Sequence, residues 1–338
     1  MRPFWMKSAA TMQSSGRIDD LLPSILRHEN VSRVSDEGIY ILDRRLLPFE
    51  RKEVFCPTWR ECVSAIKNMV TQGGGPLEVS LNAIIHTSRT APGELKEAVE
   101  ALSLSRPTNT TMKREIATVY SGYERGGDIE RLCMEVFNRY DRYYDLMSDI
   151  GESLINDGDG ILTRCFPEHT FMLSCAKARR NGKRIRVYVP ETRPYLQGAH
   201  LTEPCLREMG IECFLITDAM PSHFMREGKI NLYMTAADLA FQSGIVVNKT
   251  GTLSDAVSAL HYGIPYYAFS VSPSDSSEDI VIEYREGNDV RRIGNVQIAS
   301  EDATALYPCF DIIDPEFVSG IITPEGIYEG NSRWNRNR

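Results

Sequence analysis

Between residues 58 and 150 the apolar positions recur with the 3.6-residue period of helices that bury one face. Thr58-Trp-Arg-Glu61 has a capping-box pattern and opens a helix that runs through Val70, with Trp59, Cys62, Ile66, Met69 and Val70 along one side. Gly73-Gly74-Gly75-Pro76 stops it, and a shorter helix is predicted over 77–86. Further helices are predicted over 94–104 and from Thr110 towards Tyr120. Ile129, Leu132, Val136, Tyr140, Tyr143, Met147 and Ile150 then mark one long amphipathic helix.

The period changes at Asn156-Asp-Gly-Asp-Gly160. Five short apolar runs follow, at 161–166, 185–189, 212–217, 232–237 and 266–271, separated by segments of helical pattern. Such alternation predicts crossover helices between parallel strands, that is, a Rossmann-like doubly wound sheet with ligands beyond the carboxyl ends of its strands. Ahead of the helices, residues 38–43 alternate as one strand, and residues 1–33 are mixed and polar with a short amphipathic piece at 18–26. The fold class is therefore α/β. An N-terminal extension (1–35) either lies on the main body or is partly disordered, a mainly helical domain spans 36–157, and a Rossmann-like domain spans 158–338. No internal repeat or low-complexity tract stands out.

A polar residue follows nearly every predicted strand: Cys165, Glu191-Thr-Arg193, Asp218, Asp238, and Ser270 with Ser272. Turns attract polar side chains anyway, but five such residues on one edge point to a site. Asn248-Lys-Thr-Gly-Thr252 precedes an apolar-periodic helix, where backbone N–H groups and the positive dipole end favour an anion beside Lys249. An ordinary helix cap with a nearby lysine would read the same way. Gln72-Gly-Gly-Gly-Pro76 is loose enough for close backbone approach to a ligand, yet has neither P-loop nor dinucleotide spacing. Cys165 has a plain reading as a small packed hydrophobe. If reactive, its thiol would be raised by an apolar pocket and lowered by Arg164 or a helix start.

Composition narrows the classes. Acidic residues outnumber basic ones by 46 to 38, which disfavours a nucleic-acid backbone as partner. The basic cluster from Lys177 to Lys183 reads as a solvated helix end. Eight cysteines without close pairs lack zinc or redox spacing and suit a reducing compartment. No apolar run approaches bilayer length, and Met1 to Gly16 has no continuous apolar stretch for a signal peptide, so the cytoplasm and no membrane association are expected.

Taken in order, the motifs resemble the methylthioribose-1-phosphate isomerase family over roughly residues 36–328. Ile41-Leu-Asp-Arg-Arg-Leu-Leu-Pro48, Ser105-Arg-Pro-Thr108, Thr163-Arg-Cys165 and Glu191-Thr-Arg-Pro-Tyr-Leu-Gln-Gly198 carry it. Ile216-Thr-Asp218, Ala237-Asp238, Asn248-Lys249, Phe310-Asp311 and Ile321-Ile-Thr323 complete it. The wider family includes ribose-1,5-bisphosphate isomerases and regulatory subunits of the translation-initiation exchange factor, and the enzymes are marked by a cysteine and an aspartate at the positions of Cys165 and Asp238. The resemblance implies an aldose–ketose isomerase that works as a homodimer on a sugar phosphate, with no metal or nucleotide cofactor. It implies Cys165 and Asp238 as the catalytic pair, and Gln72, Gly73, Gly74, Arg106, Arg193, Gln197, Asn248 and Lys249 about the substrate and its phosphate.

Three departures alter the expected pocket. The family's Arg-Gly-Ala-Pro reads Gln72-Gly-Gly-Gly-Pro, which removes a phosphate-binding arginine. Its His-Cys-Asn-Ala-Gly reads Arg164-Cys-Phe-Pro-Glu168, and its Gly-Ala-Asp-Arg reads Ala236-Ala-Asp-Leu239. The reaction class is thus better defined than the substrate, and a non-catalytic protein that senses a sugar phosphate or nucleotide is the alternative. Hydride transfer to a nucleotide is disfavoured, because no G-x-G-x-x-G follows the first Rossmann-like strand.

Overall fold

The computed structural model describes residues 18–106, 109–275 and 280–329; the expectation for residues 1–17 lies outside them. The chain begins with 3-10 turns at Ile18–Leu21 and Ser24–Leu26 and a helical turn α1 (His28–Val31). Leu22, Ile25 and Leu26 are buried in the same core cluster as residues of the main sheet, so this amphipathic piece is fastened to the body. β1 (Ser32–Val34), β2 (Ile39–Leu42) and β3 (Glu53–Cys56) then form a small antiparallel sheet. Only its middle strand, with three of its four residues buried, had a readable pattern; the flanking strands are short and half exposed.

The helices form as their caps and periods predict. α2 (Trp59–Lys67) starts at a complete capping box, with Thr58 and Glu61 each accepting the other's backbone N–H. α3 (Gly75–Thr90) starts inside the glycine run, because Pro76 fits the first turn where its missing N–H costs nothing. α4 (Leu95–Leu104), α5 (Thr110–Glu124) and α6 (Ile129–Ser153) follow, the last two capped by Asn109 and Asp128. Their inner faces share one core that includes Leu81, Ile84, Leu102, Met112, Ile116 and Val136.

The second half alternates strand and helix: β4 (Gly160–Leu162), α7 (Glu168–Arg180), β5 (Arg186–Pro190), α8 (Glu203–Glu208), β6 (Glu212–Ile216), α9 (Pro221–Arg226) and β7 (Leu232–Ala236). There follow β8 (Leu239–Ala240), β9 (Val246–Lys249), α10 (Thr252–His261) and β10 (Tyr266–Phe269). After small pairings of β11 (Tyr284–Arg285) with β14 (Tyr307–Pro308) and of β12 (Arg292–Ile293) with β13 (Val296–Gln297), the chain ends in β15 (Phe310–Ile313), β16 (Gly320–Thr323) and β17 (Gly326–Tyr328). The main sheet has seven strands in the order β17-β16-β10-β7-β4-β5-β6, all parallel except β17. It contains the five predicted strands plus β16 and β17. β8, β9 and β15 form a separate antiparallel sheet.

The chain enters the main sheet at β4, winds outward through β5 to β6, then returns to the other side of β4 at β7. The winding therefore reverses between β4 and β7, and the crevice outside their carboxyl ends is where a doubly wound sheet takes a ligand. Cys165 follows β4 and Asp238 follows β7.

One charged cluster corrects its sequence reading. Lys177 is buried on α7, not solvated, and its Nζ bonds Asp145 at 2.7 Å and Asp149 at 2.6 Å, which ties α7 to α6. A second cluster holds the N-terminal segment. His28 bridges Glu78 Oε2 at 2.8 Å and Asp141 Oδ1 at 2.9 Å. Burial opposes the imidazolium, but the two carboxylates outweigh it and raise the pKa well above 6.5. The sign follows from linkage: a raised folded pKa stabilises fully below the unfolded value of 6.5 and loses that contribution as pH climbs through the folded one. In urea unfolding, His28→Asn should therefore lie below wild type by a gap that is full at pH 6 and narrows on the alkaline side. A gap that widens above pH 8 would refute this account.

Candidate active site

After Leu162 the backbone turns away from the sheet and brings Cys165 into the left-handed region, φ +62°. Neighbouring loops hold it there: its N–H donates to Thr192 Oγ1 at 3.1 Å, and its C=O accepts from Thr202 Oγ1 at 2.5 Å. Asp238 is fixed through its own N–H, which donates to the Val247 carbonyl at 2.9 Å. Both side chains line a cavity of about 330 Å³, together with Gln72, Gly73, Gly74, Arg106, Gln197, Asn248 and Lys249. The strand-end residues Glu191, Thr192 and Asp218 do not line it, and of the residues that the resemblance places about the substrate Arg193 alone does not. Its guanidinium donates to the Val290 and Arg292 carbonyls at 2.8 and 2.6 Å, and its backbone N–H to Asp218.

The cavity's charges have a definite logic. Burial pushes the Cys165 thiol up to about 11; Asp238 adds to the rise, while Lys249, the Phe166 N–H and Arg164 pull against it. The two influences left open by the sequence are thereby ranked: desolvation wins. Arg164 has little effect because its guanidinium turns into the protein, where Nε bonds Asp255 at 2.7 Å and Nη1 bonds Asp218 at 2.8 Å. Asp238 is open to the recess, and burial there raises its carboxyl above the ordinary value, against Lys249, Arg106 and Arg285 and with Glu168 adding to the rise. Cys165 thus keeps its proton at neutrality, and Asp238 is a carboxyl whose proton affinity burial has increased.

Arg106 Nη1 and Gln197 Oε1 are buried in the cavity wall without a hydrogen-bond partner among the described residues. Lys249 Nζ reaches only the Tyr307 hydroxyl at 3.3 Å and lies over the Phe310 ring, and among the described residues no carboxylate pairs with it. Unpaired buried polar groups of this kind, the Arg106 donor and the Gln197 acceptor, cost free energy until a ligand satisfies them.

Two expected backbone sites are already filled from within the chain. At the start of α10, Asp311 Oδ2 accepts from Gly251 N at 2.7 Å and from Leu253 N at 3.0 Å, so those N–H groups do not face a ligand anion. At the glycine-rich turn, Gly74 N–H donates to Glu168. Glu168, Glu283, Arg285 and Ser274 also line the cavity. Sequence reading had Glu168 only among the departures that alter the pocket and gave the other three no role, because they lie on a long connection without a period. Among the described residues, no group of three or more His, Cys, Asp or Glu could hold a metal ion. No helix there is long and apolar enough to cross a membrane.

A doubly wound sheet fed by a helical bundle, with a cysteine and an aspartate at its switch point, defines the class of the protein. The chain belongs to the Initiation factor 2 subunit family, whose model matches residues 77–330. Within it, the chain is 33% identical over 318 residues to the methylthioribose-1-phosphate isomerase of Thermotoga petrophila, an alignment that covers 87% of this chain and 93% of that one. It is 30% identical over 327 residues to the enzyme of the same name from Thermosipho melanesiensis, covering 87% and 94%. Among solved structures it resembles the 5-methylthioribose 1-phosphate isomerase of Pyrococcus horikoshii, with a TM-score of 0.81, 25% identity, and 88% and 91% of the two chains covered. It also resembles the translation initiation factor eIF-2B subunit delta from A. fulgidus, with a TM-score of 0.76, 28% identity, and 88% and 95% covered. The family resemblance read from the motifs holds.

The raised thiol makes a testable statement. Alkylation of Cys165 by iodoacetamide, followed by peptide mass spectrometry, should be slow at pH 7 and should rise with a midpoint near 11. Lys249→Met should move that midpoint higher. A midpoint below 8 would show that the cations, not burial, control the thiol.

Proposed function

We propose that the chain is an aldose–ketose isomerase acting on a ribose 1-phosphate derivative, with Cys165 and Asp238 as the catalytic pair. The observation that carries this reading is their meeting in one cavity whose wall holds Arg106, with its Nη1 unpaired among the described residues. Arg106, Lys249 and Gln197 hold the phosphate and the oxygens beside it, and Asn248 borders them. Residues 36–157 form the helical unit that closes one side of the cavity, and residues from 158 onward carry the catalytic pair. The protein works in the cytoplasm as a homodimer, for which the exposed Phe214 and Leu215 on edge strand β6 offer an apolar surface.

The reaction moves one hydrogen and two protons. A proton goes to the ring oxygen as the C1–O bond of the ring breaks. The hydrogen on C2 is transferred to C1, and the C2 hydroxyl loses its proton to leave a ketone. The overall composition is unchanged. Cys165, which keeps its proton at neutral pH, enters as the acid, and Asp238 enters as the base. The Lys249 and Arg106 charges act in the cavity against developing negative charge.

A second reading, a sugar-phosphate or nucleotide sensor of the initiation-factor type, is favoured by Glu168 at the glycine-rich turn and by the similarity to the eIF-2B subunit. A panel of pentose 1-phosphates, with NMR detection of a ketone, separates the two. On the substrate so found, Cys165→Ser and Asp238→Asn should each lower turnover by at least about a hundredfold, with binding changed no more than several-fold. The double variant should be far less than multiplicatively worse if the pair acts as one unit. Near-normal turnover in either single variant would promote the sensor.

A further inference from the structure

Cys165 carries its thiol on a backbone conformation, φ +62°, that a residue with a side chain adopts only under constraint. Two fully buried threonines supply that constraint. Thr192 Oγ1 accepts from the Cys165 N–H and donates to the Pro190 carbonyl at 3.1 Å, which ties Cys165 to the end of β5. Thr202 Oγ1 donates to the Cys165 carbonyl at 2.5 Å. That carbonyl and the Phe166 N–H belong to one planar trans peptide, so holding one end aims the other. The other end meets the sulfur: the Phe166 N–H donates to the Cys165 thiol. Thr202 closes a π-helical turn, Gly198–Thr202, in which the Glu203 N–H donates to the Gly198 carbonyl. Gly198 abuts the same strand end, since a Cβ there would overlap the Pro190 carbonyl. A threonine in a helix often returns its hydroxyl to a carbonyl of its own turn, whereas Thr202 commits its hydroxyl to a loop 37 residues away.

We infer that Thr202 is a positioning residue: through the Cys165 carbonyl it holds the Cys165–Phe166 peptide so that the Phe166 N–H faces the sulfur. This rests on the isomerase reading in one respect, that the thiol takes part in the reaction. When Cys165 releases its proton the sulfur becomes an anion, and an N–H already in place stabilises it without rearrangement. The other groups that act on the sulfur come from separate elements: Lys249 on β9, Asp238 after β7, Arg164 beside it in the loop and Tyr307 on β14. Lys249 and Arg164 favour the anion, and burial and Asp238 oppose it. Thr202 does not line the cavity, so its effect on the reaction passes through this peptide.

Three variants separate the hydroxyl from its bulk. Thr202→Val keeps the shape and loses the hydroxyl, Thr202→Ser keeps the hydroxyl and loses a methyl group, and Thr202→Ala loses both. Labelling of Cys165 by iodoacetamide at pH 9, followed by peptide mass spectrometry, reports the thiolate and needs no substrate. Thr202→Val and Thr202→Ala should each label at least about threefold more slowly than wild type, with the midpoint of the pH profile displaced upward, and Thr202→Ser should stay within about twofold. On the substrate found by the pentose 1-phosphate panel, Thr202→Val should lower kcat at least about fivefold with KM changed less than about threefold, and Thr202→Ser should restore kcat. Wild-type labelling or wild-type kcat in Thr202→Val overturns the inference. So does a Thr202→Ser slowed as much as Thr202→Ala, because bulk would then set the rate. Should Thr202→Val fail to fold, Thr202→Ala against Thr202→Ser decides in the same way, since the two differ by the hydroxyl alone. Labelling that follows the hydroxyl, with no pentose 1-phosphate turned over, removes the isomerase reading and leaves Thr202 as the residue that places the thiol.

Discussion

One buried guanidinium holds the site together. Arg164 follows β4, is almost wholly buried, and pairs with Asp255 on α10 and with Asp218 after β6. Asp218 in turn accepts the N–H groups of Thr192 and Arg193 after β5, and Thr192 Oγ1 accepts the N–H of Cys165. Gly251 at the head of α10 lies so close to Arg164 that a Cβ there would overlap it. Loops after three parallel strands and the start of a helix are thus tied to one charge. Burial opposes that charge, but Asp255 and Asp218 hold the Arg164 pKa above its ordinary value. Removing one partner from such a set costs roughly 3–5 kcal/mol, because it leaves an uncompensated buried ion. The network is therefore better understood as fixing one loop arrangement than as adding net stability.

That division of labour explains why strongly patterned motif residues touch no substrate space. Asp218, Thr192 and Arg193 look like site residues from their strand-end positions, yet they position Cys165 and the loop near Val290. Asp311 does the same for α10 by taking the N–H groups that an anion would otherwise take. With the inner charges committed to each other, Lys249 and Arg106 remain free to face the cavity. The chemistry is left to groups whose protonation is governed by burial, and burial pushes the thiol and the Asp238 carboxyl in the same direction.

Much of this was legible along the chain. Four of the five apolar runs became inner strands, where both faces of the sheet are covered and no alternation blurs the pattern, and the fifth became the half-exposed edge strand β6. Cys165 and Asp238 stood out as strand-end residues and, through the family resemblance, as a pair; that the winding reverses between their strands needed the pairing of strands far apart in sequence. What escaped has a common cause: it depends on partners far apart in sequence. β16 and β17 follow a polar stretch of some 50 residues, so their short runs carried no context. The α10 N-terminus read as an anion site because Asp311, 60 residues from Gly251, is invisible to local pattern. Lys177 read as solvated because its carboxylates lie on α6, some 30 residues earlier. The contacts that join Arg44, Gly74 and Glu168 span 124 residues.

The backbone around the site holds its geometry through contacts within the chain. Cys165, Glu168, Thr192 and Leu196 all adopt positive φ in the two loops that meet at the thiol. Each such residue costs on the order of 1–3 kcal/mol and persists only where the surroundings over-determine it. Here they do: Thr192 is clamped by Asp218, Cys165 by Thr192 and Thr202, and Glu168 by Arg44 and Gly74. A loop fixed this firmly cannot shift to suit a new ligand, so a change of specificity has to come from what the fixed positions carry. Glu168 occupies such a position. It accepts a strained conformation that glycine would adopt freely, and in return places a charge where the backbone has no freedom to move it away.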